Sequence, residues 1–430
     1  MRRGENWREW DCAEVCDPTS DIGGETSRCD GKHVVIHTCL MRILHISPTY
    51  LPAIRYGGPI YTVHALCRAL VARGHEVEVF TTDIDGAGSS AVPLKTPVQL
   101  DGVSITYFGS RHLRRLAWAP AMGHALSKRI GDFDVVHGHS VFLWPTWIAA
   151  RAAKRVGKPY ILSPRGALVR SLIERRNKII KTAWIALIER RNVEEASALH
   201  ATSDVEAADL RGFGWRLPPV HVIPNGIDDL PDVSGQAVSA DVRSLTARKP
   251  LLLFLGRQSW KKGLDRLINA VAATETVNLA IVGVDDEGIG PELSVLAERL
   301  GIGGRVHFVS RMVQGPDKEA AFAAADLFAL TSYSENFGNT VLEAMQRGLP
   351  VIVTPEVGAA DIVRQSGGGI VVDGDPRVLA NAITTIVKDS RRARAMGEKG
   401  RAFVSERYTW PRIASEMESL YGHLISATKR

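Results

Sequence analysis

The chain has 430 residues, a net charge of +6, 45% hydrophobic and 23% charged residues, which excludes a disordered or fibrous protein and gives enough apolar material for two or three domains with buried cores. No run of about 18 apolar residues occurs, and the first residues lack the apolar segment of a secretion signal, so neither a membrane span nor export is expected and a cytoplasmic location is. Residues 41–228 carry 24 Lys and Arg against 15 Asp and Glu, whereas residues 229–430 carry 24 of each; an anionic partner or a membrane surface is therefore expected on the earlier half, and no nucleic acid, because no zinc-finger, basic-zipper or RNP-like string accompanies the charge.

Four of the five cysteines, Cys12, Cys16, Cys29 and Cys39, fall in residues 1–40. That segment lacks periodicity and contains no Cys-x2-Cys pair, so it reads as a disordered extension or an upstream-start artefact, not a metal site. Met41-Arg42-Ile43-Leu44-His45-Ile46-Ser47 reads as a natural opening strand. A loop follows to Gly58, then apolar residues recur at helical spacing over 59–73, with Pro59 in the first turn and Gly74 closing the helix. Strands are predicted at 76–81, 134–137, 159–162 and 198–201, alternating with helices, which is the pattern of a doubly wound parallel sheet.

Residues 222–228, Val-Ile-Pro-Asn-Gly-Ile-Asp, read as a strand end and a turn. The polar stretch 229–249 is taken as the hinge. A second series of strands is predicted at 250–255, 278–282, 306–308, 327–330 and 351–353, and a last helix at about 410–427. The expected domains are thus 41–228, 229–408 and a terminal helix over 409–430.

Several motifs sit where these elements would hold ligands. Gly57-Gly58-Pro59 opens the first helix, where free amides and the absence of Cβ atoms allow close approach of a phosphate or sugar. His137-Gly138-His139 ends a strand on the carboxyl side of the sheet, where open α/β sheets bind ligands; one of the two histidines is expected to be structural. Gly256-Arg257 and Lys262-Gly263 flank the next helix start, and two cations there would balance a diphosphate. Glu335-Asn336-Phe337-Gly338-Asn339-Thr340-Val341-Leu342-Glu343 reads as a loop entering a helix, capped by Asn339 or Thr340, whose positive end suits an anionic ligand. Glu335 would reach a ligand at the helix mouth, and Glu343 would accept hydrogen bonds from a vicinal diol such as ribose. Over 168–192, apolar residues at three- and four-residue spacing interleave with Arg170, Arg175, Arg176, Lys178, Lys181, Arg190 and Arg191. This is either a basic amphipathic helix contacting a membrane surface, with Trp184 at the interface, or a core-facing helix with a charged outer face.

In this order and spacing the motifs resemble the large retaining glycosyltransferase family four (glycosyl transferases group 1), with its Glu-x7-Glu signature, over nearly all of 41–430. The resemblance implies the GT-B fold, an α/β architecture of two facing Rossmann-like domains with a C-terminal helix crossing back onto the first. It also implies transfer of a sugar from a nucleotide-sugar, a UDP- or GDP-sugar, to a hydroxyl of a saccharide or lipid-linked saccharide. No cofactor and no metal are expected. The residues it assigns are Glu335, His139, Arg257 and Lys262 to the reacting centre, and Gly57, Gly58, Arg311, Phe337, Gly338, Asn339, Thr340 and Glu343 with Arg257 and Lys262 to donor binding. Arg311 would stack on the base, in a strand end where many relatives have glycine in place of Ser310, and Arg165-Gly166 would lie on the acceptor side. The alternatives are an epimerase or sugar-phosphate synthase on the same fold, and a non-catalytic sugar-binding scaffold.

Overall fold

A computed structural model describes residues 27–29, 32–34, 40–54, 57–170, 173 and 184–428. The chain forms two compact units, Met1–Met41 and Arg42–Arg430. In the first, Ser27–Cys29 pairs antiparallel with Lys32–Val34; the remainder of the expected extension over 1–40 lies almost entirely outside the described residues.

The second unit holds two sheets. The first contains β1 (Arg42–Ile46), β2 (Glu76–Thr82), β3 (Val98–Leu100), β4 (Val103–Phe108), β5 (Val135–His139), β6 (Tyr160–Ser163), β7 (Ala198–Ala201) and β8 (Val220–Val222), in the order β8-β7-β6-β5-β1-β2-β4-β3. All neighbours are parallel except the β3–β4 hairpin at the edge. The second contains β9 (Leu251–Leu255), β10 (Asn278–Val282), β11 (Val306–Val309), β12 (Leu327–Leu330), β13 (Val351–Val353) and β14 (Gly369–Val371), fully parallel, in the order β11-β10-β9-β12-β13-β14. In each sheet the chain reverses its winding at one point, between β1 and β5 and between β9 and β12. At such points open α/β sheets hold their ligands, in the crevice beyond the carboxyl ends of the strands.

The strands are apolar runs because both faces of a parallel sheet are covered. Leu251, Leu252, Leu253 and Phe254 are fully buried, and truncating one such leucine to alanine costs about 2–5 kcal/mol. Four helices position the site. α1 (Gly58–Ala72) carries Pro59 in its first turn, and Gly74, at φ 95°, lets the chain turn out of it. α2 (Leu264–Ala272) points Leu264, Leu267, Ile268 and Val271 at the sheet. α3 (Asn339–Gln346) starts after Gly338 at φ 91°. α4 (Trp410–Thr428) packs on α1, and its Glu418 pairs with Arg73.

The edge hairpin β3–β4 and the outer strand β14 were not among the expected strands, being short or interrupted by polar residues. The stretch 229–249, expected to be an unpatterned hinge, contains the helix Ala240–Arg243, and its Val242 and Leu245 enter the second core. The passage between domains is fixed at Ile227, whose amide donates to Tyr408 O at 2.7 Å. A Cβ on the neighbouring Gly226 would lie 2.6 Å from the Trp410 ring. The outgoing and returning chain segments therefore run side by side, and alanine at 226 would push them apart. Of the basic stretch 168–192, residues 171–172 and 174–183 lie outside the described residues. Trp184, expected at an interface, donates its indole N–H to buried Glu189 at 3.0 Å.

Candidate active site

The switch points of the two sheets face each other through the glycine loop before α1. A Cβ on Gly57 would lie 3.4 Å from Arg257 Nε, and one on Gly58 would lie 3.3 Å from Asn339 Nδ2. Gly57, at φ 75°, is a conformation that side chains disfavour. The first domain thus brings bare backbone against the cation and the helix start of the second. Arg257 leaves the end of β9 and is held by Asp286 at 2.8 Å. Lys262 pairs with Glu335, their side chains only 21% and 18% exposed. Gly263, at φ 62°, caps α2 so closely under Thr331 that a Cβ would lie 2.1 Å from its carbonyl oxygen.

No side chain caps α3. Asn339, expected as a cap, instead accepts from Asn225 Nδ2 at 3.0 Å, and Val341 N turns back to Gly338 O at 2.9 Å, so the amides of Asn339 and Thr340 are the ones that no side-chain cap claims. Glu335 is fixed by its backbone: its amide donates to Glu356 O, and its carbonyl accepts from Gly358 N at 2.9 Å. Inside the helix, Glu343 holds Lys318 through Oε1 at 2.8 Å, while its Oε2 is buried without a partner. A buried carboxylate oxygen lacking a donor is what a ribose hydroxyl would satisfy. Thr340 lies half-buried in the first turn.

On the first domain, His139 ends β5 and Arg165 follows β6. The Arg165 guanidinium donates to Asn225 Oδ1 at 2.9 Å and meets His139 Nδ1 at 3.4 Å. A chain of contacts, His139–Arg165–Asn225–Asn339, therefore joins the two strand ends through the interdomain turn. Beside it lies a cavity of about 620 Å³ whose lining includes Ser47, Ile60, Arg114, Arg115, His139 and Arg165. Of the seven non-glycine residues at positive φ among the described residues, Ala117, Ser140 and Arg165 line it, and Leu113 and Phe142 adjoin it. Such conformations cost about 1–3 kcal/mol each and persist only where surrounding structure enforces them. Glu189 is one enforcer: fully buried, its carboxyl pKa raised by burial, it accepts from Phe142 N at 2.7 Å and Asn192 Nδ2 at 2.9 Å.

The histidines sort by their partners. His200 Nε2 faces the carbonyl of Ile223 at 2.8 Å and must donate to it, so its Nδ1 accepts the Ser163 hydroxyl at 2.6 Å. Ser163 Oγ in turn accepts from His137 Nε2 at 2.8 Å, leaving His137 Nδ1 to accept the Tyr421 hydroxyl at 2.7 Å. His137 is therefore structural: both nitrogens are spent, and they tie α4 to the sheet. Because a guanidinium can only donate, His139 Nδ1 is an acceptor and its Nε2 donates to His45 Nδ1 at 2.8 Å. Burial, then the Arg165 charge, pulls the His139 pKa well below its ordinary value, so it stands as a neutral imidazole. The nitrogens of His45, His137 and His139 lie within 4.8 Å of one another, but they do not suit a metal ion. His137 has no free lone pair, His45 and His139 bind each other, and a guanidinium abuts the group.

Two expected donor residues have their side chains engaged elsewhere. Arg311, expected to stack on a base, has its guanidinium engaged by Asp241 at 2.8 Å and Asp317 at 2.7 Å. Its position after β11 directs it to the Ala240–Arg243 helix. Phe337 is 3% exposed and packs in the second core, so only its backbone belongs to the loop surface. The sequence reading missed Asn225 as the link between domains, as well as Arg114, Arg115 and Glu189. The asparagine in the Ile-Pro-Asn-Gly turn was the available signal.

Two doubly wound domains meeting at their switch points, with cations and an uncapped helix start at the junction, define a glycosyltransferase of the GT-B class. The family described as glycosyl transferases group 1 matches residues 240–403, and the glycosyl transferase 4-like domain matches residues 57–226. The D-inositol 3-phosphate glycosyltransferase of Xylanimonas cellulosilytica is 30% identical over 421 residues, spanning 91% of this chain and 97% of that protein. Sucrose-phosphate synthase from Thermosynechococcus elongatus superposes with a TM-score of 0.68 at 25% identity, over 90% of this chain and 100% of that one. Anabaena HepE in complex with UDP and glucose shares the fold, with a TM-score of 0.66 at 22% identity, over 89% and 100%. The chain belongs to the group 1 glycosyltransferases of family four, enzymes that use nucleotide-sugar donors.

Proposed function

We propose that the protein transfers a hexose from a UDP- or GDP-sugar to a hydroxyl of a saccharide acceptor, with retention at the anomeric carbon and without a metal ion. The observation that carries this reading is the meeting of Gly57 and Gly58 with Arg257 and Asn339, which places bare backbone, a guanidinium and free helix amides around one spot. In this reading Arg257, Lys262 and the α3 amides neutralise the diphosphate, and the free Glu343 oxygen accepts from the ribose. Glu335 and His139 orient the donor sugar. The bond from C1 to the diphosphate oxygen breaks, its electrons leave with the nucleoside diphosphate, the acceptor oxygen attacks from the same face, and the acceptor proton passes to the departing phosphate. The acceptor enters from the first domain; a lipid-linked saccharide of envelope polysaccharide synthesis would bring the enzyme to the inner membrane face. Among the described residues no helix is long and apolar enough to cross a membrane, so such an encounter would be peripheral.

A panel of UDP- and GDP-sugars, read by thermal shift and then by product NMR with chelator present, tests this proposal. One nucleotide class should stabilise the fold, the product should keep the donor's anomeric configuration, and Glu335→Ala should abolish transfer while the chain still folds, its melting temperature lowered only by the loss of the Lys262 pair. An inverted product, or transfer lost to chelator, would overturn the mechanism.

A further inference from the structure

Three segments meet at Asn336, the residue after Glu335: the turn Arg165-Gly166 that follows β6, the start of the helix Asp204–Arg211 that follows β7, and the loop that leads into α3. Residues 203–206, Ser-Asp-Val-Glu, have the Ser-x-x-Glu pattern of a capping box, and half of it forms, with Ser203 Oγ accepting from Glu206 N at 3.1 Å. The other half does not. Instead of returning to the Ser203 amide, the Glu206 carboxylate takes Gly166 N on Oε1 at 2.7 Å, and on Oε2 both the amide of Thr202 at 2.8 Å and its hydroxyl at 3.0 Å. Glu206 and Thr202 are both buried, so this carboxylate joins the Arg165 turn to the end of β7 from beneath.

The arrangement fixes a direction. A carboxylate can only accept and the Thr202 hydroxyl has one hydrogen, so that hydrogen goes to Glu206 and the lone pairs of Oγ1 are left for a donor. Asn336 supplies it, its Nδ2 donating to Thr202 Oγ1 at 2.8 Å. The Asn336 carbonyl accepts the Ser203 hydroxyl at 2.8 Å, and its side chain lies against bare backbone, because a Cβ on Gly166 would come within 2.6 Å of Asn336 Cβ. The amide oxygen Oδ1 is buried with no donor, so Thr202 alone orients the side chain. Glu335 meanwhile is tied by its own amide and carbonyl to Glu356 and Gly358 of the second domain. The peptide that carries the Glu335 carboxylate is therefore anchored on one side by its own domain and on the other by the facing one.

We infer that Glu206 is a positioning residue for transfer: through Thr202 it holds Asn336, and through Asn336 it sets the Glu335 carboxylate against the donor sugar while the two domains are closed. This rests on the role proposed for Glu335. Gly166 hangs on the same carboxylate, so the Arg165 turn of the first domain and the Glu335 loop of the second are referred to one buried point, and displacing either moves the other. Burial lowers the Arg165 pKa, and Glu206 is first among the groups that oppose the fall, which keeps that turn charged as well as placed. A misplacement of about 1 Å at a reacting centre costs on the order of 100-fold in rate; losing one anchor of several should cost about tenfold.

The test breaks the relay at its middle, in the full chain. Thr202→Val keeps the outline of the side chain and removes the hydroxyl, Thr202→Ser keeps the hydroxyl, and Asn336→Ala removes the far partner. Two quantities are read. Hydrogen exchange followed by mass spectrometry, with UDP or GDP present, should show residues 333–341 exchanging about tenfold faster in Thr202→Val and Asn336→Ala, with β10 unchanged. Release of nucleoside diphosphate from UDP-glucose or GDP-mannose, whichever raises the melting temperature, should show kcat lowered about tenfold in both variants and the donor KM held within about twofold. The double variant should be no worse than either single one, because both cut the same relay, and Thr202→Ser should recover both readings. Wild-type protection of 333–341 in Thr202→Val, a KM that rises with the fall in kcat, additive losses in the double variant, or a serine variant as impaired as the valine one would each overturn the inference. A wild-type chain that releases no nucleoside diphosphate from either donor would instead refute the transferase reading, and the exchange comparison would still decide whether Thr202 and Asn336 hold the loop.

Discussion

Replacing Glu335 by glutamine keeps the size of the side chain but removes the charge that Lys262 now holds. Two unit charges at 4 Å attract by about 4 kcal/mol in an effective dielectric of about 20. The pair is 21% and 18% exposed, so screening and the retained amide contact reduce what is released to about 1–2 kcal/mol. In the wild type an incoming diphosphate must compete with Glu335 for Lys262 and approach the carboxylate itself. In Glu335→Gln both costs vanish, and UDP or GDP should bind about 5- to 30-fold more tightly. Transfer should be lost in the same variant, because the carboxylate that orients the sugar is gone. Calorimetric titration with the nucleoside diphosphate gives the first quantity and a coupled transfer assay the second. Unchanged or weaker diphosphate binding, or turnover near the wild-type level, would refute the assignment of Lys262 as a phosphate ligand held in reserve by Glu335.

Gly263→Ala should cost about 2–5 kcal/mol, because its Cβ would lie 2.1 Å from Thr331 O and its φ is left-handed; a lowered melting temperature with weakened diphosphate binding is expected, and an unchanged melt would contradict the packing. Burial, with the Arg165 charge second, lowers His45 and His200 to about 3 from 6.5. The unfolded chain therefore takes up protons that the native one refuses, and stability falls as pH drops from 6.5 toward about 3, by about 1.4 kcal/mol per pH unit for each histidine. Urea unfolding of His200→Asn between about pH 4 and 6 should show a slope reduced by that amount, and an identical slope would show that His200 titrates normally.

The sequence disclosed most of the scaffold because the strands that matter are short apolar runs bounded by turn residues. The strands Asn278–Val282, Leu327–Leu330 and Val351–Val353 appear where the pattern put them. Both switch-point loops could be placed as well, since glycines at 57, 256, 263 and 338 sit directly between strand and helix and all adopt positive φ. β3 and β14 escaped because three residues that include a glutamine or a glycine barely rise above a loop in hydrophobic pattern, whereas β4, Val-Ser-Ile-Thr-Tyr-Phe, carries the alternation of a strand and was legible.

By itself, then, the sequence determined two doubly wound sheets and the loops that would face each other, because period and punctuation are properties of neighbouring residues. Which charges remain free for a ligand was settled only in three dimensions. Arg311 and Arg165 look alike in the chain, yet one is claimed by Asp241 and Asp317 and the other turns to Asn225 and His139 beside the cavity. Likewise His137 is withdrawn by Tyr421, 284 residues away, and Asn339 by Asn225, 114 residues away. Hydrogen-bond capacity is finite, and the partner that uses it up is chosen by the packing of distant segments, which no local pattern records.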